Sequence, residues 1–327
     1  MFRHTEITLA LNVCLLLGTV VLVLYGLRLV FPALQAGANR LFDDLNQNAR
    51  GLLGPLRGAL NAFQGEWTFV LGIGFILLIA AFGFLYIAED VIEGHPAQMA
   101  DQATYLYFRS LRNPLGDNLL IAITEMGDAF VVTTLGVAVA LWLMFRRAWR
   151  ALACWTLAIA GGSFLNTAIK VALHRSRPTD LYHQGWSAFS FPSGHSTTNA
   201  VLYGFLAILI ARGLPRSWRF PLACGAASLV TLIAFSRLYL GAHWLSDVMG
   251  GISFGSLWVA LTGILYFRRS NTDIDAKRLL VLVVAVLAIS SGWNIALHHS
   301  HDLYFYAMRQ GSAAKGTELL LPGSLRQ

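Results

Sequence analysis

Long apolar stretches constrain this chain more than any other feature, because a run of roughly 20 such residues spans the hydrocarbon of a bilayer as a helix. Eight stretches have that length, near 7–31, 68–88, 119–145, 150–172, 197–214, 219–238, 247–267 and 278–297. Inside a bilayer the backbone has no water to bond, so each stretch must satisfy its own N–H and C=O groups as a helix. The expected fold class is therefore all-α, a polytopic membrane helix bundle. Composition agrees: 56% of the 327 residues are hydrophobic and only 13% are charged, against roughly 25% charged in a soluble domain. The first stretch is too long, and too weakly charged at its start, for a cleaved signal peptide. Cys14, Cys154 and Cys224 each lie within an apolar stretch and read as buried free thiols, not a disulfide framework.

The net charge of +7 raises the question of a nucleic-acid partner. The basic residues flank the apolar stretches instead of forming one patch, so membrane topology accounts for them and no nucleic acid is expected. Arg146, Arg147 and Arg150 separate stretches three and four; Arg212, Arg216 and Arg219 separate five and six; Arg268, Arg269, Lys277 and Arg278 separate seven and eight. The positive-inside rule places these three loops in the cytoplasm. The 2–3, 4–5 and 6–7 loops and both chain ends then lie outside, and the 2–3 loop fits with Glu89, Asp90, Glu93 and Asp101. Between the first two stretches, Leu34, Leu41, Leu45, Leu52, Leu56, Leu60 and Phe63 recur at roughly helical spacing around a break at Gly54-Pro55. An interfacial amphipathic helix and a solvated linker both fit that pattern.

Three polar clusters fall on the predicted outer face. Stretch four ends in Lys170-Val-Ala-Leu-His-Arg-Ser-Arg177-Pro178; the next loop ends in Pro192-Ser193-Gly194-His195; stretch six ends in Ser236-Arg237, with His243 and Asp247 following. Lys170, Arg177 and Arg237 supply three cations, two of them planar forks suited to phosphate oxygens. Cations at a membrane boundary are costly unless an anion pairs with them. Ser193 and Gly194 stand at a helix start, where free N–H groups also favour an anion. His243 and Asp247 are four apart, so they share a helix face if the helix has begun there. A carboxylate on one ring nitrogen fixes the tautomer and leaves the other nitrogen to attack. His195 has no acidic residue within four positions, lacks a local orienter, and suits proton donation.

The series Lys170-x6-Arg177-Pro178, Pro192-Ser193-Gly194-His195 and Ser236-Arg237-x5-His243-x3-Asp247 resembles the type 2 phosphatidic acid phosphatase superfamily, which takes in bacterial lipid phosphatases, vanadium haloperoxidases and glucose-6-phosphatase. All three motifs match without a departure. The resemblance covers roughly 68–267 and implies a six-helix phosphatase core with one extra helix at each end. It divides the chain into 1–67 (membrane helix and amphipathic linker), 68–267 (catalytic core) and 268–327 (membrane helix and tail). It implies His243 as nucleophile, Asp247 as its orienter and His195 as general acid, with Lys170, Arg177, Ser193, Gly194 and Arg237 holding phosphoryl oxygens. No metal or other cofactor is implied.

The reading that follows is a metal-independent lipid phosphatase of the cytoplasmic membrane, with its site on the extracytoplasmic face. The substrate is a lipid phosphomonoester or diphosphate, of the undecaprenyl diphosphate, phosphatidylglycerophosphate or phosphatidate type. Hydrolysis would pass through a phosphohistidine on His243, and a phosphotransferase would pass the phosphoryl group from the same phosphohistidine to a lipid or sugar acceptor instead of water. A haloperoxidase is disfavoured by eight apolar stretches, a non-catalytic lipid carrier by a nucleophile and an acid together, and a soluble sugar phosphate by a site at the membrane surface. Three other features read as incidental to the chemistry. Glu125 and Asp128 fit helix N-terminal acids better than a cation or headgroup site. His298, His299 and His301 with Asp302 fit interfacial residues better than metal ligands. Trp186, Phe189 and Trp244 fit interfacial aromatics.

Overall fold

In the computed structural model, residues 2–48, 67–93, 97–178, 188–267 and 274–320 are described, and every regular element among them is helical. In chain order these are α1 (Phe2–Asn48), α2 (Trp67–Glu93), α3 (Ala97–Ser110), α4 (Pro114–Glu125), α5 (Ala129–Phe145), α6 (Trp149–Thr156), α7 (Gly162–Leu173), α8 (Gly194–Arg212), α9 (Arg216–Tyr239), α10 (Leu245–Phe267) and α11 (Ala276–Leu320). A single π-helical turn, Leu157–Gly161, joins α6 to α7.

Seven helical spans among the described residues are long and apolar enough to cross a membrane: His4–Leu29, Pro114–Phe145, Trp149–Leu173, Gly194–Arg212, Arg216–Tyr239, Leu245–Phe267 and Ala276–Ala307. The chain is a multi-pass membrane helix bundle. The predicted stretch at 68–88 corresponds to α2, a 27-residue helix, and the side chains of its first turn lie outside the described residues.

Three boundaries differ from the sequence expectation. α1 continues past 31 to Asn48, so Leu34, Leu41 and Leu45 extend the first helix instead of opening a separate interfacial one; residues 49–66 lie outside the described residues. The third stretch starts earlier, at Pro114, because Asn113 caps the helix by accepting from the Gly116 N–H at 2.8 Å. It is also broken at Met126-Gly127-Asp128. The eighth stretch is far longer than 278–297, since α11 runs from Ala276 to Leu320, and its Asn294, His299 and Tyr306 find partners on other helices of the bundle.

α8 is the central helix: 72% of its most apolar stretch is buried, against 6–44% for the other six spans. α9 and α10 pack along it, α2 packs along α10, and α11 lies against α4, α5 and α8. Outward-facing apolar side chains such as Phe82, Phe145 and Phe164 (75%, 79% and 72% exposed) meet lipid tails that are as apolar as they are. Association inside the bilayer therefore depends on close packing and buried polar contacts, not on hydrophobic transfer. The α8–α10 contact is built that way. A Cβ on Gly251 would stand 2.8 Å from the Ser193 carbonyl oxygen and 2.9 Å from Ser196 Cβ, and one on Gly255 2.8 Å from Ala200 Cβ. The Trp258 indole lies against Gly161 and Gly162 and donates to the Ala158 carbonyl within the π turn at 3.0 Å. The cysteines are unpaired, and only Cys154 is buried; Cys14 is exposed on the outer surface of α1, contrary to its expected burial.

The arginine-rich end of the bundle is opposite the three motif clusters. Arg150, at the start of α6, donates to the Leu265 carbonyl near the end of α10 at 2.6 Å, and Arg212, ending α8, lies over the Tyr266 and Phe267 rings. Arg268 and Arg269 lie outside the described residues.

Candidate active site

Four helix ends meet at the other pole: the C-terminus of α7, the N-termini of α8 and α10, and the C-terminus of α9. They carry Lys170, Ser193 to His195, His243 with Asp247, and Arg237 respectively. α7 stops where His174 takes a left-handed conformation (φ 49°), which turns the chain into the loop bearing Arg175 and Arg177. Ser193 caps α8, accepting from the Ser196 N–H at 3.4 Å, while its own N–H donates to the Asp247 carbonyl at 2.9 Å. That bond clamps the start of α8 to the start of α10. Lys170 Nζ donates to the carbonyls of Phe189 and Ser190 at 2.8 and 3.2 Å, and its side chain runs close beside Gly194.

His243 is buried, in the short link between α9 and α10. Its Nδ1 stands 3.3 Å from Asp247 Oδ2, and its Nε2 lies 3.0 Å from Arg177 Nη1. A guanidinium only donates, so Nε2 carries the lone pair and Nδ1 carries the proton, which it gives to the carboxylate. Burial, followed by the positive fields of Arg177, Lys170, Arg237 and His195, holds the pKa of His243 well below its ordinary 6.5. The ring is thus neutral at pH 7, with a lone pair aimed among cations. That is the arrangement a nitrogen nucleophile toward a phosphate ester requires.

Asp247 is fully buried and holds four groups. Besides His243, its Oδ2 accepts from the Trp244 N–H at 2.9 Å, and its Oδ1 accepts from Arg175 Nη1 at 2.6 Å and from Ser190 Oγ at 3.3 Å. The second Arg175 nitrogen, Nη2, donates to Asp101 Oδ2 at 2.6 Å, and Asp101 in turn accepts from the Ser246 N–H and hydroxyl at 2.8 and 2.6 Å. Arg175 thus bridges two carboxylates that are both essentially sealed from solvent. The sequence offered little signal for it: Arg175 lies within the first motif but at one of its unspecified positions, and Asp101 reads as a loop acid.

The break between α4 and α5 holds His195. Asp128 Oδ1 is 2.8 Å from His195 Nε2. Asp128 is therefore not simply a helix N-terminal acid; it makes no capping bond of its own, and His195 has an orienter supplied from a distant helix. His299 likewise departs from the interfacial reading. Its Nδ1 lies 3.0 Å from Oε2 of the fully buried Glu125. Trp244 donates from its indole to the Ser176 carbonyl at 3.0 Å, while Trp186 lies outside the described residues. Arg237 Nη1 donates to Thr124 Oγ1 at 2.9 Å and to Tyr306 OH at 3.0 Å. Its buried Nε has no hydrogen-bond partner among the described residues, which leaves a donor for a further oxygen. Among those residues, no three His, Cys, Asp or Glu side chains gather as metal ligands.

Comparison with known proteins matches a family described as the PAP2 superfamily to residues 151–271. Phosphatidylglycerophosphatase B of Bacillus subtilis is 30% identical over 205 residues, covering 61% of this chain and 96% of the relative. The chain belongs to the PAP2 superfamily. The crystal structure described as the first transmembrane PAP2 type phosphatidylglycerolphosphate phosphatase from Bacillus subtilis is similar at a TM-score of 0.50 and 29% identity, over 56% of this chain and 93% of that one. Lipid A 1-phosphatase of Rhizobium etli is 33% identical over 114 residues, 32% of this chain and 45% of the relative. All eight site residues that the resemblance implies lie within the PAP2 match at 151–271, whereas Asp101, Asp128, Asn294 and Tyr306 lie outside it.

Proposed function

We propose that this PAP2 protein is an integral membrane lipid phosphatase working through a phosphohistidine on His243. It is a phosphoric monoester hydrolase, and residues 68–267 form its catalytic core. The observation that carries the reading is the His243 ring: proton on Nδ1 toward Asp247, lone pair on Nε2 beside Arg177.

In the first step Nε2 attacks phosphorus as the bond to the lipid oxygen breaks, and His195 gives that oxygen a proton. In the second step His195 takes a proton from water as its oxygen attacks phosphorus. The P–N bond breaks, inorganic phosphate leaves, and His243 is neutral again. Lys170, Arg177 and Arg237, with the N–H groups at Ser193 and Gly194, stabilise charge on the transferring phosphoryl oxygens, the part a metal plays in other phosphatases. The substrate class is a lipid phosphate, since the site lies at the ends of lipid-facing helices and the relatives are named for phosphatidylglycerophosphate and lipid A. Undecaprenyl diphosphate, phosphatidylglycerophosphate and phosphatidate are the substrates to compare. The site faces the extracytoplasmic side of the cytoplasmic membrane, because the arginine-rich pole is opposite.

Phosphate release from these three lipids by purified protein in detergent, with EDTA present, tests the reading. Turnover of at least one is expected, together with inhibition by orthovanadate, which mimics the transferring group. Loss of turnover in EDTA that a divalent ion restores would overturn the metal-independent mechanism.

A further inference from the structure

α11 lies beyond the PAP2 match at 151–271 and still reaches the site twice. Asn294 Nδ2 donates to Asp128 Oδ2 at 3.1 Å and to the Glu125 carbonyl at 3.0 Å. One amide therefore ties both sides of the break between α4 and α5. The other oxygen of the same carboxylate, Oδ1, faces His195 Nε2. Further along α11, Tyr306 OH accepts from Arg237 Nη1 at 3.0 Å. Asn294 and Tyr306 are both buried, while Ile289, Trp293 and Leu297 of the same helix face outward. Polar side chains in a membrane helix are costly without partners and mark working faces when they have them. Here the polar face of α11 meets the orienter of one candidate catalytic group and one of the three cations.

We infer that α11 is a positioning element of the reaction site. Asn294 sets the plane of the Asp128 carboxylate and through it the His195 ring, and Tyr306 fixes the Arg237 guanidinium. A carboxylate held on one side only can rotate about its terminal torsion, which is broad. Bonding Oδ2 to a buried amide leaves Oδ1 directed at the imidazole, and a proton donor depends on that alignment. The inference rests on the phosphatase reading above.

The test uses the full chain in detergent and reads the rate of phosphoenzyme formation from two esters, a lipid phosphate whose leaving group needs a proton and a nitrophenyl phosphate whose leaving group does not. Asn294→Leu keeps the volume and removes the donor. It should slow the lipid phosphate on the order of tenfold, the effect of one hydrogen bond to a charged group, and the nitrophenyl ester by less than about twofold. In an Asp128→Ala background the same substitution should add nothing, since both act through one group. Tyr306→Phe removes a single hydroxyl and should raise KM and the vanadate inhibition constant by about threefold to tenfold, with either leaving group. Equal slowing of both esters by Asn294→Leu, or independent effects of Asn294→Leu and Asp128→Ala, overturns the role of Asn294. An unchanged vanadate constant in Tyr306→Phe overturns that of Tyr306, and it does so even if Asn294→Leu fails to fold. A wild-type chain that hydrolyses neither ester would instead refute the phosphatase reading on which this rests.

Discussion

Asp128 precedes His195 by 67 residues, yet its Oδ1 lies 2.8 Å from the His195 Nε2. The pairing gives both histidines of the site a carboxylate, one local and one from another helix. Division of labour between them therefore cannot rest on which one has an orienter. It rests on surroundings: the His243 Nε2 lone pair faces Arg177, whereas His195 spends Nε2 on Asp128.

That division predicts different losses. His243→Ala should abolish turnover and any trapped phosphoenzyme for every substrate. His195→Ala and Asp128→Asn should slow phosphoenzyme formation from lipid phosphates by on the order of 10²- to 10⁴-fold and about tenfold or more respectively, with much smaller losses in that step on a nitrophenyl ester. Rapid alkaline quench with a labelled substrate reads the phosphoenzyme, because a P–N bond to histidine is stable in base and labile in acid. Phosphoenzyme formation by His243→Ala would refute the assignment.

Arg175 should matter as much for folding as for rate. Arg175→Gln leaves Asp101 and Asp247, 2% and 0% exposed, without the cation that bridges them. Breaking a buried pair in this way costs about 3–5 kcal/mol, so a clearly lower melting temperature and near-complete loss of turnover are expected. Wild-type stability in Arg175→Gln would show that the bridge contributes little.

Acid should act on His243 through stability before chemistry. Its folded-state pKa is lowered from 6.5 by burial and by neighbouring cations, so below pH 6.5 the unfolded chain binds the extra proton and the folded chain does not. The stabilising difference is present above that pH and is lost as pH falls through and below it. Melting curves should show the wild-type chain losing more stability than His243→Gln between pH 7.5 and 5. Equal losses would mean that the ring is not held neutral.

Close approach of α8 and α10 sets the distance between the two halves of the site. Gly251→Ala places a methyl group 2.8 Å from the Ser193 carbonyl oxygen and must move the α8 start, with its Ser193 cap and His195, away from Asp247. Misplacement on the scale of 1 Å costs about 10²-fold in rate. A fall of that order in kcat, with the helical circular dichroism retained, is expected; unchanged kcat would show that the helices adjust without cost to the site.

Sidedness is open to direct labelling. In a variant lacking the native cysteines, a cysteine at His301, which is exposed at the site's end of the bundle, should react with an impermeant thiol reagent in intact cells. One at the exposed Ser217, at the arginine-rich end, should not. The reverse pattern would invert the topology.

The membrane class and the helical fold were legible in the sequence because hydrocarbon thickness imposes a length and backbone amides impose a helix, and both act on consecutive residues. The motif residues were legible for a related reason. His243 and Asp247 are four residues apart at a helix start, and Lys170, Ser193 and Arg237 stand at span ends whose alternation along the chain brings them to one pole. Asp101, Asp128, Glu125 with His299, Asn294 and Tyr306 carried no such local signal. Their contacts join residues 67 to 174 apart, as between Asp128 and His195 or Glu125 and His299. A lone acid or amide in an apolar helix shows that a partner is needed without showing which. Only the packing of α3, α4, α5 and α11 decides that, because burial makes an unpartnered polar group too costly and leaves each one bonded to whatever the neighbouring element presents.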